Sequence, residues 1–146
     1  MQVREAVSAD AGGIADLFGQ LGYPADAGQI AARLDRNSGD DLSRTLVAET
    51  EQGVVGVAVV HVMAPLHVPS PWALLSALVV DEACRSAGTG AALLRAVEGF
   101  AAQCGCVQLE LSSNPARTRA HRFYERHGYR EKRMRFVKTF TATRVA

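Results

Sequence analysis

Apolar residues recur along this chain with two periods, and the changes between them mark its elements. A short strand is expected at Gln2–Ala6. Ser8 or Asp10 then caps a helix in which Ile14, Leu17, Phe18 and Leu21 fall on one stripe. Gly22 stops that helix and Pro24 keeps it from resuming. A second helix, about Asp26 to Asp35, places Ile30, Ala31 and Leu34 on one face, and Asn37–Asp41 is a loop. A valine-rich hairpin follows, with strands Leu46–Glu49 and Val54–Val62 around a turn at Glu51–Gly53. Pro65, Pro69 and Pro71 break up the next connection. Trp72–Val80 is almost continuously apolar, the pattern of a strand covered on both faces. Leu94, Val97, Ala101 and Cys104 stripe a helix over Ala91–Cys104, and Val107–Ser112 alternates as a half-buried strand. Thr118–His127 reads as a helix ended by Gly128, with two last strands at Tyr129–Glu131 and Met134–Phe140.

This order predicts an α/β (α+β) chain. The strand–helix–strand unit from Trp72 to Ser112 implies a parallel pair with a right-handed crossover, while the flanking hairpins are antiparallel. The expected sheet is mixed and mostly antiparallel, with about six to seven strands and helices on both faces. Neither a repeat nor a dividing linker interrupts it, so residues 1–146 are expected to form a single domain. A chain of 146 residues buries roughly two-thirds of its unfolded surface and needs no staple.

Composition narrows the class. Apolar residues are 48% and charged residues 21%, which excludes a disordered chain. The longest apolar stretch, Val54–Val60, falls short of the roughly 20 residues that span a bilayer. The N-terminus has no apolar signal core and the three cysteines are odd in number, so a reduced, cytoplasmic protein is expected, without membrane partners. Cys104 and Cys106 are separated by one residue, and His121 lies six from His127; neither spacing suits zinc, and no metal is expected. The net charge of +1 hides an asymmetry: residues 115–146 carry ten Lys/Arg against two Asp/Glu, and the rest carries six against thirteen. The basic segment has no nucleic-acid motif beyond its charge, so no nucleic-acid partner is expected.

The chemistry-bearing segment runs from Leu78 through Arg85, Gly88 and Gly90 to Leu94. A strand enters a glycine loop that opens a helix. Unpaired N–H groups of a first helical turn and the helix dipole favour an anion there, and glycines let a phosphate approach the backbone. A Walker loop would need Gly-Lys-Ser/Thr, and there is no lysine. A dinucleotide fingerprint would need glycine where Leu93 stands. Downstream, Asn114 follows a strand, and Phe123 and Tyr124 lie on the next helix before Gly128-Tyr129.

Together, the Arg85-x-x-Gly88-x-Gly90 loop and the Asn114…Ala120…Phe123-Tyr124…Gly128-Tyr129 pattern resemble the GCN5-related N-acetyltransferase family, over nearly the whole chain. The resemblance implies the acyl-CoA N-acyltransferase fold and acetyl-CoA as acyl donor. It implies transfer to an amine, on a small molecule or a peptide, by direct attack in a ternary complex. Arg85, Ser86, Ala87, Gly88, Thr89, Gly90 and Ala91 would hold the coenzyme pyrophosphate. Leu78, Val79 and Val80 would offer main-chain hydrogen bonds to the pantetheine arm, beside a strand bulge and a parting of the next strand. Asn114 would touch the arm, Arg117 and Arg119 the 3′-phosphate, and Tyr124 would protonate the departing thiolate. Homodimers are common in such folds.

The general base is the open part. Relatives often carry a glutamate two positions ahead of Leu78, where this chain has Ser76. Candidates are Glu110, Glu49, His61 and His67, of which His61 lies on a strand bordering the expected acceptor side, and an imidazole suits proton transfer near neutrality. The replacement also keeps a second reading in view, a non-catalytic acyl-CoA sensor or interaction module. Retention of Tyr124 speaks for the enzyme.

Overall fold

The computed structural model describes residues 1–85, 87–112, 118–132 and 135–140. The chain divides into two compact units, Met1–Ser112 and Ser113–Ala146. In the first, strands β1 (Gln2–Glu5), β2 (Ser43–Thr50), β3 (Gly53–Met63), β4 (Trp72–Val80) and β5 (Leu109–Leu111) lie side by side in chain order. Pairs β1–β2, β2–β3 and β3–β4 are antiparallel, and β4–β5 is parallel. Helices α1 (Ala11–Leu21) and α2 (Ala27–Asn37) join β1 to β2, and α3 (Thr89–Gln103) makes the crossover from β4 to β5.

Strand alternation sorts the core into two faces. On one, Ile14 and Leu17 of α1 and Ile30 of α2 pack with Val47, Val57 and Val79. The opposite parity presents Ala48, Ala58, Val60, Ala73 and Leu75, all buried, and α3 contributes the fully buried Leu93, Leu94 and Val97. Gly56 of β3 sets how closely α3 sits. A Cβ there would lie 2.8 Å from Leu93 Cδ1 and 3.2 Å from Thr89 Cγ2. A lone glycine in a valine run thus marks a close approach, as such glycines often do.

Local signals closed the helices where expected. Gly22 takes φ 97° after α1. Its N–H donates to Gly19 O and that of Tyr23 to Phe18 O, a Schellman ending. Asp26 caps α2 rather than opening it, accepting from Gly28 N–H at 2.7 Å and Gln29 N–H at 3.3 Å.

The second unit holds α4 (Thr118–Arg126). Gly128, at φ 91°, ends it in the same manner, with Gly128 N–H donating to Glu125 O and Tyr129 N–H to Tyr124 O. The sheet corrects the expected strand count: five strands form among the described residues, not six or seven. Neither residues 129–132 nor residues 135–140 join a ladder. Strand propensity in Phe136, Val137 and Phe140 counts only against a pairing partner. Basic Arg130, Lys132, Arg135 and Lys138 break the apolar pattern that would fix one face.

Candidate active site

The site grows from an irregularity in β4. Val59 of β3 pairs with Ala77, but Val60 pairs with Leu75, so Ser76 is an extra residue without a partner on β3. This is a β-bulge, and it changes which main-chain groups face which neighbour. Before the bulge, Ala73 N–H donates to Gln108 O, next to β5. Beyond it, Asp81 N–H donates to Val55 O, on the β3 side. Main-chain groups alternate in direction along a strand. Val79 and Ala77 therefore point to β3, and Leu78 and Val80 point the other way. Pairing with β5 covers only Ala73–Leu75. The Leu78 and Val80 main chains thus face an edge that no described strand occupies. Of the three residues expected to offer main-chain groups there, alternation turns these two outward and Val79 inward.

That open edge leads into the glycine loop. Asp81 Oδ1 accepts from Ala83 N–H at 2.9 Å and fixes a single 3₁₀ turn over Glu82–Cys84. Gly88, at φ 82°, is the N-cap of α3 and supplies no side-chain cap. The first intrahelical bond runs from Ala92 N–H to Gly88 O at 3.0 Å. The N–H groups of Thr89, Gly90 and Ala91 therefore have no partner within α3. The Thr89 side chain is buried toward Gly56 rather than turned onto those donors. Arg85 and Ala87 are exposed. Ser86, Asn114 and Arg117 lie outside the described residues, and Arg119 stands in the first turn of α4.

Beside the bulge, three side chains form a hydrogen-bonded chain across three strands. Ser43 of β2 pairs opposite His61 of β3. Ser43 Oγ lies 3.1 Å from His61 Nδ1, and His61 Nε2 lies 2.9 Å from Ser76 Oγ. His61 is half-buried and Ser76 exposed. His61 and Ser43 also line a cavity of about 200 Å³, whose charged wall residues are Glu5, Asp35 and Arg44.

The carboxylate candidates stand elsewhere. Glu49 lies at the other end of β2 from Ser43, where its Oε2 accepts from Arg4 Nη2 at 2.9 Å. The same guanidinium grips Asp10 with two bonds, at 2.8 and 2.9 Å. Arg4 hydrogen bonding holds the Asp10 carboxyl below the usual carboxylate range, helped by the Val7 N–H and opposed by burial. Glu110, on β5, is exposed and accepts from Gln108 Nε2 at 2.8 Å. His67 is exposed in the proline-punctuated connection. Burial, with Cys104 as a lesser cause, raises the Cys106 thiol.

In the second unit, Tyr124 packs in an aromatic cluster. Its ring stands 5.4 Å from Phe123 and 6.0 Å from Tyr129, both edge-on. Phe123 also stacks at 4.5 Å on His127, whose Nδ1–H donates to Phe123 O at 2.9 Å. Among the described residues no group of three His, Cys, Asp or Glu could hold a metal ion, and no helix is long and apolar enough to cross a membrane.

Two residues of this arrangement escaped the sequence reading. Ser43 lay outside the expected strand, and its pairing with His61 exists only once the hairpin register is known. Gly56 carried a usable signal, a glycine inside a strand pattern.

A mixed sheet whose bulged strand parts from its parallel neighbour beside a glycine-opened helix defines the scaffold as an acyl-CoA N-acyltransferase fold. The chain belongs to the acetyltransferase (GNAT) family, whose model matches residues 16–129 and so runs through both units. By that membership it is classed with the acyltransferases. It is 39% identical over 85 residues to the aminoalkylphosphonate N-acetyltransferase of Salmonella typhimurium, a stretch covering 58% of this chain. The match spans 55% of that protein, so the chain covers about half the length of this curated relative. A transcriptional regulator from Bacillus halodurans superposes with a TM-score of 0.84 at 21% identity, covering 95% of this chain and 99% of that one. Glucosamine-6-phosphate N-acetyltransferase from Arabidopsis thaliana gives 0.81 at 20% identity, covering 96% and 98%. At such identities these two likenesses speak for the fold alone.

Proposed function

We propose that the protein transfers an acetyl group from acetyl-CoA to a primary amine by direct attack in a ternary complex. The observation that carries this reading is the edge of β4 beyond Leu75, which no strand among the described residues pairs and which leads to a helix N-terminus whose first N–H groups have no partner within the helix. The Leu78 and Val80 main chains would pair with the pantetheine arm as a further strand does. The Thr89, Gly90 and Ala91 N–H groups would receive the pyrophosphate, with Arg85 adding positive charge. A main-chain N–H on the same edge would stabilise the oxyanion of the tetrahedral adduct. Tyr124 would protonate the thiolate as it leaves.

The name of the Salmonella relative makes aminoalkylphosphonates the first class to try.

Calorimetry with acetyl-CoA and a thiol-release assay over a panel of amines test the proposal. Wild type should bind acetyl-CoA and release thiol with at least one amine. Tyr124→Phe should bind the coenzyme normally and lose about 100-fold in kcat, the scale of one lost proton donor. Tight binding without turnover on any amine would instead support a non-catalytic acyl-CoA sensor.

A further inference from the structure

From the chain of contacts Ser43–His61–Ser76 we infer the route by which the acceptor loses its proton. Ser76 is the residue that receives it and His61 is where it rests. The inference rests on the acetyl-transfer reading above and supplies the base which that reading leaves unnamed.

Ser76 is the bulged residue, set on the part of β4 where pairing with β5 has ended. Its hydroxyl proton has two acceptors in reach, His61 Nε2 at 2.9 Å and Val59 O at 3.4 Å. The shorter contact is the stronger one. With that proton directed to Nε2, the ring carries its own proton on Nδ1 and donates it to Ser43 Oγ at 3.1 Å. Ser43 is thus a positioning residue: it holds the tautomer that leaves Nε2 free to accept. Glu49 is held by Arg4 at the far end of β2, and Glu110 is bonded to Gln108 on β5, so neither competes for this place.

The step balances as follows. An acceptor arrives as R–NH3⁺. One N–H proton passes to Ser76 Oγ while the Ser76 O–H proton passes to His61 Nε2, leaving R–NH2, an intact serine and an imidazolium. The amine lone pair forms the N–C bond to the thioester carbonyl. The adduct collapses, the C–S bond breaks, and its electron pair leaves on sulfur. Tyr124 gives its phenol proton to that thiolate and regains the second nitrogen proton, giving amide and thiol. His61 returns its proton to water. A serine alone is too weak a base for this; the half-buried imidazole behind the exposed Ser76 takes up the proton that the serine passes on.

The test compares two nitrogen acceptors with acetyl-CoA at neutral pH: 2-aminoethylphosphonate, which must lose a proton, and hydroxylamine, which is already largely uncharged. The uncatalysed hydroxylamine reaction is subtracted. His61→Gln keeps a donor and an acceptor between the two serines but cannot take up a proton. It should lower kcat/KM for the alkylamine about 100-fold and change the hydroxylamine rate less than about threefold, and added imidazole should restore part of the alkylamine rate. Ser76→Ala, at an exposed position, should show the same selective loss, so the test does not hang on one variant's folding. Equal losses with both acceptors, or none with either, would overturn the relay alone. A wild type that binds acetyl-CoA yet acetylates neither nitrogen would overturn the relay and the transferase reading together.

Discussion

Two polar clusters cross the strands of the first unit, and they are built on opposite terms. Around Arg4 the side chains are all charged and engaged: the guanidinium binds both Asp10 oxygens, Glu49 and the Glu5 carbonyl, and the Val7 N–H also donates to Asp10. Asp10 is buried, its proton affinity lowered by the hydrogen bond from Arg4. Around His61 no carboxylate or guanidinium takes part in the bonding, and each hydroxyl can donate or accept. The first cluster ties β1 and β2 to the turn before α1, and no proton in it is free to move. The second sits at a bulge, where one proton can be passed without breaking the sheet. A saturated ionic cluster secures the frame; the chain of hydroxyls and imidazole at the bulge is the one the proposed relay uses.

That division is best attacked from the structural side. Arg4→Leu removes five bonds, two of them to Asp10, and leaves the Asp10 carboxylate buried with only the Val7 N–H. Chemical denaturation should show a loss of about 2 kcal/mol. The ratio of alkylamine to hydroxylamine turnover should stay at the wild-type value. A change in that ratio would mean the two clusters are coupled.

Gly56→Ala probes the coenzyme side without touching either cluster. The added methyl would lie 2.8 Å from Cδ1 of the fully buried Leu93, 3.2 Å from Thr89 Cγ2 and 3.4 Å from the Val79 carbonyl oxygen, so α3 or its side chains must shift. The first turn of α3 should be pushed from the sheet at a cost of about 1 to 2 kcal/mol. Acetyl-CoA affinity should fall about tenfold, read by calorimetry, while the acceptor ratio is unchanged. Unaltered affinity would show that the helix seat does not set the donor geometry.

These effects separate what could be read along the chain from what needed the fold. β4 was legible to the residue, because eight apolar positions, interrupted only by Ser76 and bounded by Pro71 and Asp81, leave no other reading. The strand–loop–helix order was legible too, since Gly88 takes φ 82° as the N-cap that opens α3. The last two strands were misread because Phe136, Val137 and Phe140 show propensity, and propensity does not supply a partner. His61 could be singled out only as one of four candidates. Its link to Ser43 depends on a hairpin register and its link to Ser76 on a bulge, and neither leaves a periodic trace. Ser76 looked like a missing carboxylate in the sequence; with the bulge in view it is the outward end of a hydrogen-bonded chain.

The mildest test of the comparison is acid titration of stability. The Asp10 carboxyl is held lower in the folded chain than in the unfolded one, where it titrates near ~4. The unfolded state therefore binds its proton first on acidification, and in that range protons favour unfolding. The stabilisation is fully present above about pH 4 and disappears as the pH drops through the lower folded value. Asp10→Asn lacks this titration. The gap in stability between wild type and Asp10→Asn should be constant from neutral pH down to about 5 and then close with further acid. Salt and the half-exposed position of Arg4 screen the pair, so the closing should be gentle and weaker still at high ionic strength. A gap that stays constant down to the lowest pH at which the protein folds would mean that Asp10 acts through its shape and its bond to Val7. The ionic cluster would then be no more charged, in its effect on stability, than the serine–histidine chain it has been set against.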